Sequence, residues 1–214
     1  MERTLLIDSP YYTNQLEVIR HISKSIPVNF QIYVKESPAQ ISREWRPISF
    51  YKEIMKIPNV KLLSMSTPND VLLQNCSLVI TIRGSTGLEA AFYNKPSITF
   101  SNIHYAQLPS VFVVNDLDSL GKIVNEALNT KVDPSDVDRY LTYLEENTIE
   151  FDWYDFSSKY QQMMSYAGNL NDIEIPEQKA KKFLDENSLE IEKIQNKALF
   201  PYRWTAKFFD KLAL

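Results

Sequence analysis

Apolar positions along the first 130 residues recur in two alternating patterns, one helical and one of short unbroken runs. Between residues 12 and 25, Leu16, Ile19 and Ile22 fall at helical spacing, Val18 and Ile26 widen the apolar side, and Pro27 ends the run. "FQIYVKESP" follows as a strand, with Pro38 keeping the residue before it extended. "RPISFYKEIMKI" (46–57) reads as a helix with Pro47 in its first turn, and "PNVKLLS" as a strand. "TPNDVLLQNC" is a short helix, with Thr67 as N-cap and Pro68 at its first position. "SLVITI", "KPSITFS" and "SVFVV" read as strands. "TGLEAAFYN" and residues 116–129 read as helices, the second capped by Asn115 or Asp116. Strands and helices thus alternate from "TLLI" at residue 4 to about residue 129. The strands show little polar alternation, as in strands covered on both faces. The pattern predicts an α/β domain over residues 1–130, built on a doubly wound, mostly parallel sheet. Its strand-to-helix loops gather on one edge, where ligands of such sheets bind.

Beyond residue 130 the pattern changes. Residues 134–156 and 176–200 look helical, acidic and rich in aromatics, with no strand signal, so 131–214 is predicted as a helical C-terminal extension. In the tail "PYRWTAKFFDKLAL", Trp204, Phe208, Phe209 and Leu212 alternate with Lys207 and Lys211. It reads as a final helix packed on its own domain in preference to a membrane-surface helix.

Charge and cysteine usage remove several function classes. The net charge of −4 gives no basic footprint for nucleic acid, and Lys179, Lys181 and Lys182 read as a solvated helix face. One cysteine and two histidines exclude an internal disulfide and argue against a structural zinc site. Cys76, just before an apolar strand, reads as a small buried hydrophobe. No apolar stretch approaches the ~20 residues that span a bilayer, and "MERTLLIDSP" lacks the pattern of a signal peptide. A cytoplasmic protein is the expectation.

Two of the four glycines fall within "TIRGSTGLEAAF", between a strand and a helix. Gly84 allows a tight turn, Ser85 or Thr86 is placed to cap the helix, and Thr86 with Glu89 fits a capping box. The same turn also suits an anion: Gly84 and Gly87 let a phosphate approach helix N–H groups, and Arg83 adds a charge-assisted contact. Spacing alone leaves both readings open. The segment is neither a Walker loop nor a GxGxxG dinucleotide turn. Lys35 and Glu36 end another strand, on the same predicted edge, as ligand contacts or as plain surface charges. His104 and Tyr105 in "SNIHYAQLPS" suit stacking on a ligand or hydrogen bonding to it, or belong to a solvated loop. No Ser-His-Asp order, histidine cluster or paired carboxylates suggest hydrolysis or metal catalysis.

Taken in order, "YYTNQLEVIRHISKSIPVNFQIYVKESP", "RPISFYKEIMKIPNVKLL", "CSLVITIRGSTGLEAAFYNKPSITF" and "NIHYAQLPSVFVV" resemble the capsule polysaccharide biosynthesis glycosyltransferases, relatives of Kdo-transferring capsule enzymes. The likeness runs across roughly residues 2–125, and "ENTIEFDWYDF" is similar to the family's C-terminal region. It implies a GT-B architecture of two Rossmann-like domains, the C-terminal one binding a nucleotide-sugar donor and the N-terminal one carrying the acceptor site and often the base. This chain resembles the C-terminal domain only, and "ERTLLIDSP" is similar to a point just inside it. The chain is therefore expected to be a fragment or split gene product, inactive alone.

The family's turn and glutamate match Gly84, Ser85, Thr86, Gly87 and Glu89, which implies donor phosphate on the turn beside Arg83 and ribose hydroxyls on Glu89. The family's KEHP loop corresponds to Lys35, Glu36, Ser37 and Pro38, with Ser37 standing where the family has a phosphate-contacting histidine. Ser37 still donates a hydrogen bond but carries no charge. Tyr105 completes the implied set. The implied partners are a nucleotide sugar, CMP-linked among the candidates, and a glycan or glycolipid acceptor on an N-terminal domain or separate chain. Neither a metal nor a further cofactor is expected, and the location implied is the cytoplasm, at the inner face of the membrane. Two alternatives stay open: a non-catalytic remnant or assembly domain whose Gly-Ser-Thr turn is only structural, and a nucleotide-sugar epimerase. The epimerase is disfavoured by the lack of paired acid and base residues.

Overall fold

The computed structural model describes residues 9–37, 46–166, 170–171 and 176–198. The expected strand at "TLLI", Pro38 and the tail 201–214 lie outside the described residues. The chain divides into two compact units, Met1–Thr142 and Tyr143–Leu214.

In the first unit, strands and helices alternate as their apolar pattern predicts: α1 Gln15–Ser25, β1 Ile32–Val34, α2 Ile48–Met55, β2 Val60–Leu62, α3 Asn69–Asn75, β3 Val79–Thr81, α4 Thr86–Phe92, β4 Ser97–Thr99, β5 Val111–Val113 and α5 Leu120–Asn129. All described pairings here are parallel, in two ladders, β1–β2 and β3–β4–β5. The strands are three residues each, shorter than their apolar runs. Ile32 registers with Val60, Ile98 with Ile80 on one side and with Phe112 on the other.

The core of this unit joins Val18 and Ile22 of α1, Ile98 and Phe100 at β4, and Val114, Leu120, Val124 and Ala127 around α5. Burying each large aliphatic side chain contributes about 1.5–3 kcal/mol. On α4, Gly87, Ala90 and Ala91 are buried where the helix meets β3 and β4; small residues let it lie close. Asn94 leaves α4 at φ 57°, a left-handed value that asparagine tolerates. Its N–H bonds Ala91 O and that of Lys95 bonds Ala90 O, which closes the helix and turns the chain into β4.

Two expected helix starts move. Thr67 does not cap α3, which begins at Asn69 after an extended Pro68. A 3-10 turn, Leu117–Ser119, precedes α5, so the α-helix starts at Leu120 and not at the cap expected from Asn115 or Asp116. Cys76 ends α3 half-buried, its Sγ 3.6 Å from Leu73 O, and burial pushes its thiol pKa up. Val137 and Tyr140, three apart on α6 (Pro134–Asn147), are both buried and so share one face of that helix.

The second unit holds α7 (Trp153–Met164), a hairpin of β6 (Ser165–Tyr166) and β7 (Leu170–Asn171), α8 (Glu177–Glu186) and α9 (Ser188–Ala198). The antiparallel hairpin was not legible as strand. The run 134–156 is broken at Asn147, and Asp152 restarts helix at α7 by accepting the N–H of Asp155 at 2.8 Å. Phe183 is the buried centre of this unit, edge-on to Phe156 and Tyr160 at 5.5 and 5.9 Å. Among the described residues no helix is long and apolar enough to cross a membrane.

Candidate functional site

β4 sorts its side chains by face. Ile98 and Phe100 enter the core with α1 and α5, so the alternate positions Ser97 and Thr99 face the other way. Both hydroxyls are sealed from solvent, at 1% and 0% exposure, and both reach the β3–α4 turn. Ser97 Oγ donates to Gly87 O at 2.9 Å and Thr99 Oγ1 to Ile82 O at 2.8 Å. A third hydroxyl comes from the 3-10 turn His104–Gln107, where fully buried Tyr105 donates to Gly84 O. The turn is thus clamped through three of its carbonyls. Each such bond nets about 1 kcal/mol, and stranding a buried partner costs more.

Both glycines fit this clamp. Gly84 N–H donates to Thr81 Oγ1 at 2.9 Å, and a Cβ on Gly84 would stand 2.7 Å from that oxygen. A Cβ on Gly87 would meet the Tyr105 hydroxyl at 2.6 Å and its ring at 2.9 Å. With the carbonyls held, the N–H groups of Gly87, Leu88 and Glu89 fold back onto Gly84 O and Ser85 O. Among the described contacts, the N–H groups of Ser85 and Thr86 are not used inside the turn.

The capping box does not form. Ser85 is helical at φ −59°, ψ −20°, and no side chain caps α4. A capping residue is normally extended. From its helical position Ser85 Oγ instead donates to Glu89 Oε1 at 2.9 Å, which leaves the Glu89 carboxylate at the surface beside the turn.

His104 joins the same group. Its ring stands edge-on to Tyr105 at 5.4 Å and parallel to Tyr140 at 6.3 Å, with Nδ1 2.5 Å from the Tyr140 hydroxyl. Burial, then the nearby Arg83 charge, holds the His104 pKa below its ordinary value. Burial pushes Tyr105 and Tyr140 up to about 12, so both remain neutral donors around neutral pH.

The structure therefore gathers Arg83, Gly84, Ser85, Thr86, Gly87, Glu89 and Tyr105 at one strand end, with Tyr105 beneath the turn as its support. Lys35 and Ser37 end β1 in the other ladder. Lys35 Nζ lies 2.5 Å from Asn69 Oδ1 at the start of α3. Glu36, between them, is no surface charge: its side chain is 11% exposed and accepts from Arg46 Nε and the Tyr51 hydroxyl. Arg46 also reaches Gln15 Oε1 and lies over the Phe50 ring. Elsewhere, an open groove of about 620 Å³ borders the amino ends of β3 and β4, lined by Cys76, Lys95 and Lys131 among others. It is away from the clamped turn. Among the described residues no group of three or more His, Cys, Asp or Glu is placed to hold a metal ion.

Sequence reasoning missed Thr81, Ser97, Thr99 and Tyr140. The "SITFS" alternation around β4 carried the signal for Ser97 and Thr99, since two hydroxyls on one face of a covered strand need acceptors. Tyr140 lies 36 residues from His104 and left no local signal.

Residues 6–108 match the family described as "Capsule polysaccharide biosynthesis protein". No curated protein and no solved structure matches the chain. The matched span holds both strand ends and all three clamping hydroxyls. Over the stretch that builds the turn and its clamp, the chain is similar to the capsule polysaccharide biosynthesis proteins, which supports a role in capsule synthesis.

Proposed function

We propose that the first unit is the nucleotide-sugar donor domain of a GT-B glycosyltransferase acting in capsule or surface polysaccharide synthesis. The observation that carries this reading is the turn held from behind by Ser97, Thr99 and Tyr105, with Arg83, the Ser85 and Thr86 amides and Glu89 at the same strand end. Donors fixed before the ligand arrives stabilise charge with little reorganisation. Donor phosphate takes the turn amides and the Arg83 guanidinium. Glu89, whose surface partner is one serine hydroxyl, exchanges it for the ribose hydroxyls. As the sugar leaves, negative charge grows on the nucleotide and the turn stabilises it. The acceptor and general base belong to a second domain or chain.

A second reading has its own support: Thr81 and Tyr105 explain both glycines without any ligand. Calorimetric titration of CMP and UDP nucleotides into wild type and Glu89→Ala separates the two. The donor reading expects saturable binding that weakens roughly tenfold on losing a charged hydrogen-bond partner. Absent binding, or binding indifferent to Glu89→Ala, leaves the turn structural.

A further inference from the structure

Resting on the donor reading, we infer that His104 is a further ligand-contacting residue of this site, meeting the nucleotide phosphate beside Arg83, and that Tyr140 positions it. Tyr105 fixes where His104 stands, because its hydroxyl is bonded into the turn and its ring fills the space beside Gly87. The imidazole has Tyr105 edge-on and Tyr140 parallel to it, and Nδ1 is engaged by the Tyr140 hydroxyl. Tyr140 comes from a different element, α6, and is 2% exposed, so the contact orients the ring from a buried position. Nε2 has no partner among the described contacts, and the residue as a whole is exposed even though Tyr105 and Tyr140 cover part of its ring.

Among the described residues, the groups acting on this imidazole are two neutral phenols and one cation, Arg83, and no carboxylate contributes to its ionisation. A histidine so placed is disfavoured as a cation in the free protein and becomes favourable as one when an anion arrives. Phosphate shared between Arg83 and Nε2 supplies that anion. Ligand binding therefore takes up a proton at His104, and the uptake is linked to affinity.

Imidazole nitrogen spectra of the full-length ¹⁵N-labelled chain test this directly, since only His21 and His104 contribute and His104→Gln assigns them. UDP, then CMP, is added while the Gly84 and Gly87 amides are followed in the same sample. The inference expects His104 Nε2 to shift along the same binding curve as the amides and its pKa to rise, with His21 unmoved. Tyr140→Phe should change the His104 tautomer balance in the free protein and weaken UDP roughly threefold to tenfold, the range of one hydrogen bond. Amides that shift while His104 stays still overturn the inference and leave the donor reading standing. A His104 shift without the amides takes the anion off the turn and overturns the donor reading on which the inference rests. Silence from both, with either nucleotide, overturns both.

Discussion

Two strand ends in the first unit have similar compositions and opposite fates. After β3, the turn at residues 82–87 is gripped by Ser97, Thr99 and Tyr105 through three carbonyls, while the Ser85 and Thr86 amides have no described partner inside it and Glu89 takes the exposed Ser85 hydroxyl. After β1, "KES" turns its acid inward: Glu36 takes Arg46 and Tyr51, Arg46 also takes Gln15, and Lys35 is bonded to Asn69. The contrast teaches that charge and position at the carboxyl edge do not make a site. What matters is whether the polar groups are already used by the fold.

The largest expected effect breaks the clamp sterically. Gly87→Ala puts a methyl 2.6 Å from the Tyr105 hydroxyl, in a space with no exposed exit, and should destabilise the protein by about 1–3 kcal/mol in chemical denaturation. Adding Tyr105→Phe removes the nearest clashing atom, so the double variant should lose less than the sum of the two. Glu36→Ala strands Arg46 and the Tyr51 hydroxyl and should cost about 1–2 kcal/mol, while UDP affinity stays within about twofold of wild type. A large loss of affinity there would erase the distinction between the two ends. Because the Glu36 hydrogen bond raises the Tyr51 pKa, that variant should also lower it, read by ultraviolet titration. Tyr105→Phe alone should cost about 1 kcal/mol by leaving Gly84 O without its buried donor.

A smaller effect follows from His104, whose folded pKa lies below 6.5 through burial and Arg83. A base depressed by folding binds more protons when unfolded. Stability should therefore be undiminished above about pH 6.5 and fall as pH drops towards the folded pKa. His104→Gln should flatten that part of the stability-against-pH curve. The smallest is Ser85→Ala, which removes an exposed bond to Glu89 and should change stability by no more than about 0.5 kcal/mol.

Much of this fold was legible because apolar runs and helical spacing report burial directly. The alternation from α1 to α5 and the parallel pairing follow from it. Helix starts were less legible: Thr67 and Thr86 looked like caps, yet Pro68 and the helical Ser85 decide where those helices begin. The site was readable as a list of residues and not as an arrangement. "GSTGLE" named the turn, but its support comes from Ser97, Thr99, Tyr105 and Tyr140, and contacts 10 to 36 residues apart have no local period to betray them. Glu36 looked like a surface charge because its partners, Arg46 and Tyr51, lie 10 and 15 residues further along the chain.

The central claim is that the β3–α4 turn is built to present its amides to a nucleotide. Hydrogen–deuterium exchange over residues 82–90, with and without saturating UDP or CMP, measures it most directly. The account predicts that nucleotide slows exchange at Ser85 and Thr86 and leaves residues 32–37 nearly unchanged. Exchange at Ser85 and Thr86 that stays the same while nucleotide is demonstrably bound would contradict it.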